Sequence, residues 1–215
     1  MAAATAAPAA SSTGSEAAVM ATLETMVGFA ASPVLTARLR RAAHLLAACD
    51  PAHADPDQPG WAALLDAVTV QETRLFRHPG QCAMAAARLP AGLAAARADN
   101  RPFRILSAGC ATGEEAFTLA ALALAATEDV PGVTIEVLGL DLCRPALASA
   151  AAGIIAPGLG DPLALVPPAL RPWFEGGDGA PRLHPSLRRV LRFRRANLLG
   201  WEHGHFDVVF CRNVL

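Results

Sequence analysis

The sequence predicts an α/β protein in which a doubly wound parallel sheet follows a small all-helical N-terminal domain. Apolar strands alternate with helices from Arg104 onward, and this alternation is typical of a parallel sheet with right-handed crossovers. Before about residue 70, apolar residues instead recur at helical spacing. A chain of 215 residues is long enough to bury one good-sized core and a small helical domain.

The composition favours a soluble cytoplasmic protein. The net charge is −1, so no overall field attracts nucleic acid or a membrane surface, and we expect neither as a partner. The five cysteines are odd in number and dispersed, which indicates reduced thiols rather than a disulfide framework or a zinc site. The most apolar run, from Phe117 to Ala126, is shorter than the roughly 20 residues of a membrane span.

The N-terminal third is expected to contain three segments. Residues 1–20 are rich in Ala, Ser, Thr and Pro, and they predict a disordered lead-in rather than a signal peptide. Residues 21–70 predict the helical domain, with a loop at Asp50–Gly60. Residues 71–103 predict a linker and a connecting helix. The helical spacing rests on two apolar sets: Leu35, Leu39, Ala42 and Leu46, and then Trp61, Leu64, Leu65 and Val68.

The sheet domain is expected over residues 104–215. FRILSAG, Val133–Asp141 and Phe206–Cys211 predict three strands. GEEAFTLAALALAA predicts one helix, and Arg144 to Ala152 predicts another that Gly153 ends. The segment 157–189 interrupts this alternation, because it is rich in Pro and Gly and carries the turn Gly176–Gly179. We expect a hairpin or a small subdomain inserted there.

The loop SAGCATGEE, at residues 107–115, follows the first strand and opens the first helix of this domain. It is not a P-loop, because glutamate follows Gly113 where lysine would be needed. Only Gly109 and Gly113 are present, so the dinucleotide fingerprint also fails. Two carboxylates would repel a pyrophosphate and attract a cation. The alternative is that Glu114 and Glu115 only stabilise the helix dipole.

Asp141 ends the second strand, where a carboxylate accepts both hydroxyls of a ribose. A glycine loop after one strand and an acid after the next indicate a nucleoside cofactor. Because the loop offers acids and no phosphate-binding groups, it suits a cationic sulfonium such as S-adenosylmethionine (SAM). The alternative for Asp141 is a helix N-cap ahead of Arg144.

Four segments, in order, resemble the CheR-type chemotaxis methyltransferases. SAGCATGEEAFTLA resembles the family's cofactor motif SAGCSTGEEPYSLA, and QETRLFRHP resembles its N-x-T-x-F-F-R linker. LGLDLCRPALASAAAGII resembles its ribose-binding strand. RVLRFRRANLLG and FDVVFCRNVL resemble V-x-F-x-x-x-N-L-L and F-D-V-I-F-C-R-N-V-L. Together these segments cover about residues 30–215 of the chain.

The resemblance implies a protein-glutamate O-methyltransferase with a Rossmann-like class I sheet. Its cofactor would be SAM, and its partner would be the acidic helical region of a chemoreceptor cytoplasmic domain. The enzyme is expected to be a monomer that needs no metal and does not insert into a membrane. The cofactor residues carried over by motif position are Thr73, Arg77, Gly109, Glu114, Asp141, Asn197, Leu198, Arg212 and Asn213.

Within that set, Thr73 and Arg77 would contact the methionine part of the cofactor, and Asp141 the ribose. Asn197 with Leu198, and Arg212 with Asn213, would line the adenosine side. Without the family resemblance, the alternative interpretations are that Arg77 is a surface arginine, Asn197 a turn residue and Arg212 a salt-bridging residue at a strand end.

The chain also departs from the family pattern. Gln71 replaces an asparagine, Ala116-Phe117 replaces Pro-Tyr, and Ile154-Ile155 replaces an aromatic element. The family continues after CRNVL, so we expect a C-terminally truncated sequence with an incomplete sheet. Two rival functions stay open: a class I methyltransferase with a different substrate, and a non-catalytic module that binds cofactor or receptor.

Overall fold

The computed structural model describes residues 12–155, 160–175, 181–202 and 204–212, and the chain divides into two units between Val68 and Thr69. The first unit is helical, with α1 (Ser12–Val27), α2 (Pro33–Arg41) and α3 (Pro59–Val68). Short 3-10 turns occupy Ala43–Ala48 and Pro51–His53. The first turn contacts α1, α2 and α3, and the second contacts α1.

Helix α1 corrects the expectation of disorder over residues 1–20, because it begins at Ser12. Val19, Leu23 and Val27 recur every four residues and are buried, so one face of the helix is apolar. The alanine-rich composition concealed this periodicity. Residues 1–11 of the expected lead-in lie outside the described residues.

Helix α2 begins where its sequence provides a cap. The Ser32 hydroxyl accepts a hydrogen bond from the Leu35 amide at 3.1 Å, and Pro33 follows at the first helical position. Leu35 and Leu39 on α2 are buried, in agreement with the helical spacing read from the sequence.

The second unit opens with α4 (Pro79–Ala98) and continues into a four-stranded sheet, with β1 (Phe103–Ala108), β2 (Ile135–Asp141), β3 (Leu191–Arg195) and β4 (Val208–Cys211). The strands are all parallel, and their order is β3-β2-β1-β4. Helix α5 (Glu114–Ala126) joins β1 to β2, and α6 (Arg144–Ala152) follows β2. The doubly wound α/β class is therefore confirmed.

Strand β3 was not predicted from the sequence. Its residues read LRFRR, and its arginines made the segment look like a basic surface stretch. Leu191 is nevertheless buried and Phe193 is half-buried, while Arg192 and Arg194 are exposed. This is the period-two alternation of a strand with one covered face.

The two faces of the sheet have separate apolar layers. On the α5 side, Phe103, Ile105 and Val137 belong to the larger core together with Phe117. On the opposite side, Leu106, Ala108 and Leu140 are covered by the segment that contains Leu198, Trp201 and Phe206. Because the register pairs Ala108 with both Leu140 and Cys211, the carboxyl ends of β1, β2 and β4 meet at one edge.

The segment expected as an insert contains a 3-10 turn at Pro168–Trp173 and helix α7 (Pro185–Val190). Two isolated antiparallel bridges, Ile154 with Arg182 and Glu175 with Pro181, join its two sides. The predicted turn Gly176–Gly179 lies outside the described residues. Phe174 is fully buried in the core, so the segment is packed onto the sheet unit.

Strand β4 lies at one end of the described sheet. Its side chains alternate between half-buried and exposed, and Val209 is 57% exposed. Cys211, two residues on, is also exposed. The start of β4 is held by Asp207, whose carboxylate accepts the Arg104 amide at 2.8 Å and pairs with Arg101 at 2.8 Å.

Candidate functional site

The loop between β1 and α5 is built from residues with left-handed backbone conformations. Gly109, Ala111 and Gly113 have φ values of 69°, 49° and 98°. The Cys110 amide donates to the Leu140 carbonyl at 2.8 Å, which fixes the loop against the end of β2. Gly113 is the N-cap of α5. The loop therefore turns sharply at the carboxyl end of the sheet, the usual position for a ligand in such folds.

Asp141 connects this loop to the next one. Its Oδ2 accepts the Ala111 amide at 2.8 Å, and its Oδ1 accepts the Cys143 amide at 2.9 Å. The N-cap of α6 is Cys143, so Asp141 does not occupy the N-cap position that was its alternative interpretation. Each carboxylate oxygen retains a further acceptor site, so the side chain can still accept a ligand hydroxyl.

The two glutamates that follow the loop have different surroundings. Glu114 is 2% exposed, and its Oε2 accepts the Thr112 hydroxyl at 2.6 Å. Glu115 accepts the Ser107 hydroxyl at 2.7 Å and directs its other oxygen toward Arg212, 3.2 Å from the arginine Nε. The family resemblance implied Glu114 as a cofactor residue, and the carboxylate that lines the neighbouring pocket is that of Glu115.

That pocket brings together the linker, α5 and the end of β4. The linker contributes Thr73 and Arg77, α5 contributes Glu115, and Arg212 follows β4.

Both arginines are held by contacts inside this unit. The Arg77 guanidinium donates to the Glu72 carbonyl at 2.6 Å and to the Glu72 carboxylate at 3.0 Å. Arg212 donates to the Gln81 side-chain oxygen at 3.0 Å. Arg77 and Arg212 thus make contacts of the kind expected for a surface arginine and for a salt-bridging residue at a strand end. Both side chains also line the pocket.

The Gln71 Oε1, in the linker, is buried and has no hydrogen-bond partner among the described residues. Leaving a buried polar atom unsatisfied costs about 1–3 kcal/mol, so such atoms are expected where a ligand completes the bonding. Gln71 begins the linker segment that resembles the family motif, and its longer side chain was noted there only as a departure.

Asn197 and Leu198, which were expected on the adenosine side of the cofactor, follow β3. The Asn197 side-chain oxygen accepts the Leu199 amide at 3.2 Å, which is the turn role expected outside the family context. Leu198 packs on the sheet with Leu140. The Ala196 amide donates to the Asp141 carbonyl at 3.1 Å, so this segment starts beside Asp141. Asn213 lies outside the described residues.

A backbone contact positions the linker on α5. Phe76 has a φ of 52°, a left-handed conformation that is strained for an aromatic residue. Its amide donates to the Thr118 hydroxyl at 3.1 Å, and that hydroxyl donates to the Glu114 carbonyl at 2.8 Å. The Phe76 ring also meets Phe174 edge-on, at 6.3 Å between centroids. These contacts hold Arg77 over the pocket, and the sequence contained no signal for them.

Burial raises the pKa of Glu115, although the Ser107 hydrogen bond and the charges of Arg212 and Arg77 act in the opposite direction. The folded protein therefore binds this proton more tightly than the unfolded chain does. The resulting contribution to stability is present at low pH and is lost as the pH rises through the folded-state pKa.

We accordingly expect the stability of the natural chain, relative to Glu115→Gln, to fall as the pH rises above about 4.3, the ordinary pKa of a glutamate. Urea unfolding of both proteins at a series of pH values on either side of that pKa measures the difference. An increase with pH instead would mean that the two arginines outweigh burial.

No helix in the described part of the chain is long and apolar enough to cross a membrane. Residues 71–215 match the family described as CheR methyltransferase, SAM binding domain.

Curated proteins from several bacteria are similar to the chain. It is 32% identical over 161 residues to a chemotaxis protein methyltransferase of Vibrio parahaemolyticus, covering 71% of this chain and 56% of that protein. It is 33% identical over 162 residues to chemotaxis protein methyltransferase 1 of Pseudomonas aeruginosa, with coverages of 71% and 57%. A probable biofilm formation methyltransferase WspC of Pseudomonas putida is 35% identical over 159 residues, with coverages of 71% and 36%. The chain thus spans a little over half the length of the first two relatives.

Proposed function

Because the chain belongs to the CheR methyltransferase family, we propose that it contributes to SAM-dependent methylation of glutamate side chains on chemoreceptor proteins. The observation that carries this proposal is the meeting of the glycine loop, Asp141 and a pocket in which Glu115 lies among arginines. Two similar proteins are named chemotaxis protein methyltransferases, and this supports a chemoreceptor as the proposed substrate.

The residues present fit the cofactor of this family. The amino acid end of SAM carries an ammonium and a carboxylate, and the pocket offers Glu115 for the first and Arg77 with Arg212 for the second. Asp141 provides acceptors for the ribose hydroxyls at the opposite end of the loop.

The proposed chemistry needs no general base. A glutamate side chain has an ordinary pKa near 4.3, so a receptor carboxylate is already the nucleophile at neutral pH. When bound, SAM supplies an electrophilic methyl group, whose bond to sulfur breaks as the carboxylate oxygen bonds to its carbon. The protein's task is to hold the two reactants in line and exclude water.

Binding is tested with S-adenosylhomocysteine, the demethylated product, by isothermal titration. We expect Arg77→Ala to weaken binding by about 10- to 100-fold, because a charge-assisted contact contributes about 1.5–3 kcal/mol. Arg97→Ala, an exposed arginine in the last turn of α4, provides the matched control and should change affinity by less than about twofold. No binding by the natural chain would contradict the cofactor assignment.

The substrate is tested separately, with methyl-labelled SAM and the cytoplasmic fragment of a chemoreceptor. Label on receptor glutamates, lost when these are replaced by glutamine, supports the proposal. Label on a small molecule with an unlabelled receptor would favour a class I methyltransferase with a different substrate. Cofactor binding without any transfer would favour a non-catalytic module.

A further inference from the structure

The chain concentrates positive charge at the β3 edge of the sheet. Six of its eighteen basic residues fall within residues 182–195, and no acidic residue occurs between 179 and 201. The remaining twelve arginines are outnumbered by nineteen acidic residues elsewhere, so the net charge of this segment is positive and that of the rest of the chain is negative. Five of the six arginines are exposed, and we call the four that lie on α7 and β3 the basic edge: Arg188, Arg189, Arg192 and Arg194.

The charges of the basic edge are not neutralised by the described part of the chain. Within the described ranges, no carboxylate lies within 4.0 Å of any of the four guanidinium groups. Arg189 donates to the Ser186 hydroxyl at 3.0 Å, and Arg192 donates to the Arg189 and Leu191 carbonyls. These are neutral acceptors, so the edge keeps its positive potential.

Strand β3 also ends the sheet on this side. The Ala196 amide bonds to the Asp141 carbonyl in β2, and successive residues of a strand direct their backbone groups to opposite sides. Phe193 therefore directs its N–H and C=O away from β2, and neither group has a partner among the described residues. Arg192 and Arg194 flank it on one face, about 7 Å apart.

We propose that the β3 edge binds an extended acidic segment of a partner protein, which pairs with the backbone of Phe193 and places alternate carboxylates against Arg192 and Arg194. Strand addition of this kind obtains affinity from main-chain hydrogen bonds and specificity from alternate side chains. The arginine fork suits a carboxylate, because it donates two parallel hydrogen bonds.

A short acidic segment fits this edge better than nucleic acid does. A nucleic acid strand extends its phosphates well beyond four arginines, and it would then meet the acidic remainder of the chain. The edge also lacks an exposed aromatic platform on which bases stack, since Phe193 is half-buried in the core beside Phe117. This inference concerns binding alone and does not depend on methyl transfer.

The test uses the full chain and a fluorescein-labelled peptide of about eight residues that alternates Glu with Thr, a good strand former. We expect Arg192→Glu with Arg194→Glu to weaken binding at least about tenfold, as the loss of two charge pairs requires. The matched control is Arg88→Glu with Arg97→Glu, two exposed arginines of α4, which makes the same change in net charge. It should alter affinity less than about threefold.

Amide hydrogen exchange supplies the structural readout, because pairing must slow exchange at the Phe193 amide. Where the double variant does not fold, Arg194→Glu alone replaces it, since the Arg194 guanidinium makes no hydrogen bond or ion pair with the described residues. Equal loss of binding in the control variant, or binding without protection of Phe193, overturns the proposal. Tighter binding of a single-stranded oligonucleotide of equal length also overturns it. If the peptide does not bind, the proposal is wrong, and the arginines serve only to prevent the edge strand from pairing with other chains.

Discussion

Replacing Gly113 with alanine is expected to lower the free energy of unfolding by about 3 kcal/mol. Gly113 has a φ of 98°, which L-residues rarely adopt. A Cβ there would lie 2.7 Å from the Phe117 Cζ and 2.9 Å from the Ala150 Cβ. Because Ala150 belongs to α6, the added methyl would push α5 and α6 apart at the cofactor loop.

Gly132→Ala separates the backbone part of this effect from the packing part. Gly132 has a similar φ of 87°, but nothing lies within 4 Å of a Cβ at that position. We expect it to cost about 1 kcal/mol, the backbone penalty alone. Urea unfolding of both variants measures the difference. Equal destabilisation would show that the close contacts around Gly113 relax without cost.

Replacing Asp141 with alanine is expected to weaken S-adenosylhomocysteine binding by about 100-fold, as the loss of two hydrogen bonds to a charged acceptor implies. The variant should also be less stable by about 2–4 kcal/mol, because the Ala111 and Cys143 amides lose their acceptor. The two effects would have one origin, since the carboxylate that holds the loop is also the proposed acceptor of the ribose hydroxyls.

Asp161→Ala is the matched control for Asp141→Ala. Asp161 accepts the Leu163 amide at 2.8 Å, the same two-residue spacing as Asp141 with Cys143. It lies away from the glycine loop and should leave the titration curve unchanged within about twofold. Binding by Asp141→Ala at near-natural affinity would remove the ribose role from this residue.

The sequence allowed the sheet to be predicted wherever apolar runs were continuous. Strands β1 and β2 and helices α5 and α6 were found because each has an uninterrupted pattern and a clear end, such as Gly153 with a φ of 65°. Strand β3 was missed because only one of its faces is covered, so its arginines dominated the pattern. Helix α1 was missed because alanine weakens the contrast between its two faces.

The structure brings the loop, the linker and the end of β4 together, but the sequence did not indicate which side chains would line the pocket between them. The motif placed an acid beside the loop, but the choice between Glu114 and Glu115 depends on the direction in which the first turn of α5 points each residue. Neither did the sequence reveal that Phe76 adopts a positive φ to hold Arg77 near Glu115. Such choices arise from tertiary contacts, which local patterns do not encode.

The unequal exposure of the cysteines has a chemical consequence. Cys49, Cys82, Cys110 and Cys143 are 1–6% exposed, and burial raises the pKa of the first three thiols, so reagents reach little thiolate there. Cys211 is exposed on β4, immediately before Arg212. The folded chain therefore carries one natural attachment point for a thiol-directed dye, adjacent to an arginine of the pocket. A fluorophore placed there would report pocket occupancy by its emission, without an engineered residue.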